Sequence, residues 1–288
     1  MLANGADGET KQEILNALGF SGASMDEINA LYSYIIKKAG KLDPATTVSI
    51  ADYIAVNKNY KLNEEFTRTI NDWFKAEIQN LDFTSKKTTG IINGWCSDHT
   101  DGMIPKIIDN VEPSAVAYLM NAIYFNGSWA EKFDAKDTKL ERFKGYTRDI
   151  KKVRMMVLLP NEDKSIQEMM KVLSAKEISK IRQNMENCKV DLKLPKFTTE
   201  VEQPLNDIIS SLGASTMFKP SADFSKMADG NMFVSKMLQK ARIEVSEEGT
   251  KAAAVTAAIM TMSALAPEPR TVEFHADRPF VYFISESR

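Results

Sequence analysis

Two histidines and two cysteines in 288 residues leave this chain little material for metal or thiol chemistry. Cys96 and Cys188 form no C-x-x-C pair, so neither a disulfide framework nor a zinc site is expected. Both are read as buried free thiols, with a single bridge between them as the alternative. His99 lies in Ser97-Asp98-His99-Thr100-Asp101-Gly102, and one histidine with flanking aspartates reads as a solvated helix end or turn rather than a metal site. No G-x-S-x-G elbow supplies a nucleophile, and neither G-x-G-x-x-G nor a phosphate-binding lysine loop is present. The chain is therefore not read as an enzyme, and no cofactor is expected. An excess of one charge is also lacking. The net charge of −2 argues against nucleic acid or an anionic membrane surface as the main partner. No apolar run is long enough to span a bilayer. No export signal is visible at Met1-Leu2-Ala3-Asn4-Gly5. No repeat or low-complexity linker divides the chain, so residues 1–288 are read as one mixed domain.

What is present is most unusual near the C-terminal end. Ala241, Ile243 and Val245 alternate with Lys240, Arg242 and Glu244, the period of a half-buried strand. The chain then runs through Glu247-Glu248-Gly249-Thr250-Lys251-Ala252-Ala253-Ala254-Val255-Thr256-Ala257-Ala258 into Ile259 to Leu265, and Pro267 and Pro269 follow. Set as a strand, the tract has one uncharged face of Thr250, Ala252, Ala254, Thr256, Ala258 and Met260. Its only charge, Lys251, falls on the other face. The first face could be buried in a sheet without stranding an ion, and Gly249 supplies backbone freedom where such an insertion would begin. An alanine-rich helix and an exposed linker are the competing readings of the tract taken alone.

Elsewhere the periodicity gives helices and strands in mixed order. Phe66, Ile70, Trp73, Phe74, Ile78 and Leu81 recur at helical spacing and predict one amphipathic helix. Ser24 with Glu27 opens a helix carrying Ile28, Leu31, Ile35 and Ile36, and Ser165 with Glu168 and Ser174 with Glu177 open two more. Strands are expected over 48–56, 115–125, 190–194 and 238–245.

The tract resembles the reactive-centre loop of the serpins, whose hinge is a Glu-Glu-Gly-Thr followed by alanines. The resemblance continues through Gly8-Glu9-Thr10, Asn121-Ala122-Ile123-Tyr124-Phe125-Asn126-Gly127-Ser128-Trp129, Leu194-Pro195-Lys196-Phe197, Ala222-Asp223-Phe224-Ser225 and Phe274-His275-Ala276-Asp277-Arg278-Pro279-Phe280, in the family's order. It implies an α+β fold, with helices packed around a large central mixed β-sheet, smaller sheets, and an exposed reactive-centre loop at about 247–273. It also implies an incomplete domain. The family's opening helix and first strand and its last strand have no counterpart here. Val153-Arg154-Met155-Met156 runs directly into Val157-Leu158-Leu159-Pro160, where the family has tens of residues and several strands of the second sheet. Such a sheet would expose unpaired edges.

By the same resemblance the activity is suicide inhibition. A protease attacks the loop, forms an acyl-enzyme, and is trapped when the cleaved loop inserts into the sheet. The hinge is Glu247, Glu248, Gly249, Thr250, Ala252, Ala253, Ala254 and Thr256. The family's interval from Gly249 points to Met262, Ser263 and Ala264, with Met262–Ser263 favoured, Ser263–Ala264 next and Leu265–Ala266 an outside choice. No Lys or Arg occurs from Ala252 to Glu268, so an elastase-, chymotrypsin- or subtilisin-like serine protease is the expected partner, with a papain-like cysteine protease as alternative. Asn121 and Trp129 are assigned to the region where the sheet opens. Gln239 stands there in place of the family's histidine, so no histidine-linked pH dependence of opening is expected. The chain is read as a monomer outside the cell or in the cell envelope. The alternative function is a non-inhibitory serpin-fold binding or storage protein, or a plain protease substrate.

Overall fold

The computed structural model describes residues 1–40, 46–127, 129, 133, 136, 148–150, 153–161, 163–185, 188–247 and 271–286. The chain forms two compact units. One comprises Met1–Lys41, Thr47–Phe125 and Thr199–Ile243, the other Leu42–Thr46, Asn126–Thr198 and Glu244–Arg288.

In the first unit a five-stranded sheet has the order β2-β1-β3-β8-β7, with β1 Thr46–Asn57, β2 Glu77–Leu81, β3 Ala117–Gly127, β7 Phe197–Pro204 and β8 Lys236–Val245. Both faces of its middle are covered. Ile54, Val56, Ala117 and Leu119 meet Leu2 and Ala3 of α1 (Leu2–Gly5), Ile14 and Leu15 of α2 (Gly8–Ala17), and Phe66, Ile70 and Phe74 of α4 (Glu64–Phe74). On the other face Tyr53, Ala55, Tyr118, Met120 and Leu238 meet Ile92, Trp95 and Cys96 of α5 (Lys87–Asp98), and Ile104, Ile107 and Ile108 beyond it. Double-sided burial is why these strands read as nearly continuous apolar runs. Gly5 has a packing reason: an added Cβ would lie 2.7 Å from Met227 Cβ and 2.9 Å from Phe66.

Local signals held where they were local. Ser24 and Glu27 form a reciprocal capping box at the start of α3 (Met25–Ala39), as Ser165 and Glu168 do for α6 (Ile166–Val172), each such cap being worth about 1 kcal/mol. The long helix predicted through Leu81 is shorter. It stops at Phe74, where Lys75 turns left-handed at φ 56°, and Ile78 and Leu81 belong to β2. Their spacing of three puts them on opposite faces of that strand, and each finds a core there: Ile78 packs on the α4 side and Leu81 on the α5 side. Helix α3 also turns differently from its predicted face, because Leu31 and Ile35 are exposed while Ile28 is buried and Tyr32 and Ile36 pack inward.

The second unit holds a three-stranded sheet of order β10-β5-β4, with β4 Arg148–Ile150, β5 Val153–Leu158 and β10 Val281–Glu286. It also holds a parallel pair, β6 Lys189–Lys193 with β9 Thr271–His275, together with α6 and α7 (Ala175–Gln183). The junction at Met156–Val157 is not a break. β5 runs through it as one strand, antiparallel to β10 from Val153↔Glu286 to Leu158↔Val281, with Met155, Met156 and Val157 buried. β4 covers its other edge from Val153 to Met155. Among the described residues β5 is thus paired along its whole length on one side and from Val153 to Met155 on the other.

Cys96 is buried, and that burial pushes its thiol up to about 11, so it stays protonated. Cys188 is free but exposed, a correction to the reading of two buried thiols.

Candidate functional site

The strands that carry Asn121 and Gln239, both assigned to the region where the sheet opens, lie side by side. β3 and β8 pair directly and in parallel, from Tyr118↔Lys236 to Phe125↔Ile243. Asn121 and Gln239 are register partners, and the structure brings their side chains together: Gln239 Nε2 donates to Asn121 Oδ1 at 3.0 Å. The Asn121 amide then donates to Asp52 Oδ1 on β1 at 3.0 Å and to the Ala51 carbonyl at 3.4 Å. Three adjacent strands are therefore stitched by one polar chain on a single face.

Asp52 was not singled out in the sequence, although it is the only charge in the apolar run from Val48 to Val56. Burial holds its carboxyl above the usual carboxylate range, opposed by the Asn121 hydrogen bond and by the Met1 amino group. The histidine that the family resemblance places on β8 is absent, yet the network keeps a titrating group on β1. A raised folded pKa means that ionisation is penalised in the fold. The cost is absent below the unfolded carboxyl pKa of about 3.9, grows as pH rises through the raised folded value, and is complete above it. Asp52→Asn should therefore melt higher than the wild type at pH 7, the difference closing as pH falls toward about 4. Thermal melts of both proteins across that range check it, and a difference independent of pH would refute the assignment.

In the second unit, Trp129 is 3% exposed and its indole Nε1 donates to the Ser246 carbonyl at 2.8 Å. The ring stands edge-on to Phe133 at 5.9 Å, and the Phe133 amide donates to the Glu247 carbonyl at 3.0 Å. Lys196 Nζ meets Glu247 Oε1 at 3.2 Å. Glu247, the first residue of the expected hinge, is thus held through its main chain and its side chain. The rest of the predicted hinge (Glu248, Gly249, Thr250, Ala252, Ala253, Ala254 and Thr256) and the reactive-bond residues Met262, Ser263 and Ala264 lie outside the described residues. The loop assigned to about 247–273 meets regular structure before its predicted end, since Thr271–Glu273 already belong to β9.

His99 behaves as the bland reading expected. It ends α5 in an exposed position, its Nδ1 2.8 Å from the Trp95 carbonyl and its Nε2 3.3 Å from Glu77, while Asp98 and Asp101 are exposed. Among the described residues no cluster of three or more His, Cys, Asp or Glu could hold a metal ion, and no helix is long and apolar enough to cross a membrane.

Comparison with known proteins agrees with this geometry. The profile of the family described as Serpin (serine protease inhibitor) matches residues 1–157 and 151–288. The two matches overlap where Val153-Arg154-Met155-Met156 runs into Val157. Antichymotrypsin-2 of Bombyx mori is 32% identical over 98% of this chain and 84% of its own length. Leukocyte elastase inhibitor A of Rattus norvegicus is 32% identical over 99% and 85%. The alignment to the first runs over 323 residues against the 288 of this chain, so that relative carries segments this chain lacks. Among solved structures, the thermophilic serpin tengpin in its native state superposes with a TM-score of 0.83 at 28% identity, over 98% of this chain and 80% of that one. A family profile matched along the whole sequence, and relatives a third identical across nearly all of it, show that this chain belongs to the serpin family.

Proposed function

We propose that the chain is a suicide inhibitor of serine proteases. The observation that carries the reading is the direct parallel pairing of β3 with β8, because β8 leads straight into the tract of small residues. A chain leaving the end of β8 and folding back would run antiparallel to β8 and, since β3 is parallel to β8, antiparallel to β3 as well. Insertion would exchange one parallel ladder for two antiparallel ones, which are slightly more stable per residue. The small uncharged face from Thr250 to Met260 lets that strand be buried. The protease serine, joined to the loop as an acyl-enzyme, would be carried with it and held there. The uninserted state then has to be kinetically trapped. The anchoring of Ser246 and Glu247 by Trp129, Phe133 and Lys196 fits a hinge with one fixed end.

The apolar character of Met262–Ser263 and the lack of basic residues from Ala252 to Glu268 favour a target of elastase, chymotrypsin or subtilisin type. The names of two relatives, an elastase inhibitor and an antichymotrypsin, support that direction. The protein would act outside the cell or in the cell envelope, as a monomer. Mixed with pancreatic elastase, it should give a band of combined mass that survives boiling in denaturant, and mixed with trypsin it should give none. Cleaved fragments alone with every apolar-specific protease would make the loop a plain substrate and overturn the proposal.

A further inference from the structure

Helices α6 and α7 carry apolar side chains at Met169, Val172, Ile178 and Ile181, yet neither helix buries a single residue. Val172 is 70% exposed, Ile181 37%, and Met185, just beyond α7, 56%. A helix in a folded protein draws most of its stability from packing its apolar stripe, and here those stripes face open space. Between them and the end of β5 lies a cavity of about 670 Å³. Residues 156–159 form one wall, Met169, Val172, Ile181 and Met185 the facing one, and Phe274 of β9 adds an aromatic side. All of these residues lie within the second unit. The volume falls within the roughly 300–1,000 Å³ typical of small-molecule sites. Met156, Met169 and Met185 give it walls that adjust to the shape of an occupant.

Among the described lining residues Glu177 alone is charged. It stands one turn before Ile181 on α7, and its amide donates to Ser174 Oγ at 3.2 Å, which fixes the first turn of the helix. Its carboxylate accepts from Lys180 Nζ at 2.6 Å, but the two side chains are 45% and 55% exposed. An exposed pair of that kind contributes little, so Lys180 can swing into water and leave the carboxylate to an incoming cation. A carboxylate beside an apolar space attracts an ammonium joined to a hydrocarbon or aromatic body and repels an acid of the same shape. We propose that this cavity is a binding site for a small apolar amine, its body held by the methionine and aliphatic walls and its ammonium by Glu177. The proposal stands whether or not the loop inserts into the sheet.

Equilibrium binding to the whole protein tests it. N-phenyl-1-naphthylamine, a neutral probe that brightens in apolar surroundings, should bind. Dodecylamine should displace it at a concentration about tenfold lower than dodecanoic acid does, with both kept below micelle formation. Glu177→Gln should keep the probe and erase the preference for the amine, whereas Lys180→Ala, which removes the competing cation, should widen it. Val172→Asp sets a charge in the wall at a position exposed enough to leave the fold intact, and should weaken the probe about tenfold. Methyl NMR of Met156, Met169 and Met185 locates the bound probe without any substitution. Unmoved resonances of all three, or a folded Val172→Asp that binds the probe as the wild type does, would overturn the site. Equal displacement by amine and acid, or a preference that survives Glu177→Gln, would overturn the class of ligand assigned to it.

Discussion

A single cut in the loop should raise the melting temperature of this protein by about 20 °C. An ordinary protein loses stability when a loop is nicked, or keeps it. Here the cut would free the tract after Gly249 from its far attachment at β9 and let it enter between β3 and β8 as a central strand. Each new ladder bond is worth about 1 kcal/mol net, and a domain of this size gains roughly 2–4 °C per kcal/mol, so even part of two ladders gives a shift of that order. The measurement is a thermal scan before and after limited proteolysis, with mass spectrometry to place the cut between Thr256 and Pro267. An unchanged or lower melting temperature after a cut there would mean that the loop does not insert. The β3–β8 pairing would then be the resting state of a protein with another role.

How far the sequence announced this architecture depends on how local each signal is. The capping boxes at Ser24 and Ser165 are contained in four residues, and both formed. The pair Asn121 and Gln239 was placed by resemblance, and the structure makes them direct partners. Ile78 and Leu81 misled because β2 sends one apolar residue to each core while Gln79 and Asn80 between them stay exposed, a spacing of three that mimics a helix. Leu31 and Ile35 misled because a helical pattern has no means of saying which side meets the core. Asp52 escaped notice because its partner is 69 residues away in sequence. The hydrogen bond from Lys240 Nζ to the Lys106 carbonyl could not be read at all, since its acceptor is a main-chain group 134 residues away that carries no trace in the side chains. The functional inference nevertheless came mainly from sequence, through the family resemblance carried by the Glu247–Ala258 tract and the motifs before and after it; the small uncharged face alone leaves a helix and a linker open.

That pattern gives the second large expectation, which sets two neighbouring alanines against each other. Ala252 lies on the uncharged face and Ala253 on the face that already holds Lys251. If the tract becomes a central strand, successive side chains point to opposite sides of the sheet. Ala252→Arg would then carry a guanidinium into the apolar interior without a partner. A lone buried charge costs several kcal/mol, and at about 1.4 kcal/mol per tenfold insertion would slow by roughly a thousandfold. Hydrolysis of the acyl-enzyme would then win, and the variant should be cleaved by elastase with almost no covalent complex. Ala253→Arg adds the same side chain one residue later, on the tolerant face, and should retain trapping within about tenfold, in line with the small cost of most surface substitutions. The ratio of complex to cleaved product on a denaturing gel reads both variants side by side. Equal loss in the two would show that the tract does not enter the sheet in strand geometry. The reverse order would keep insertion but exchange the two faces. Only a loop that inserts with Thr250, Ala252 and Ala254 inward makes one arginine fatal to trapping and its neighbour nearly silent.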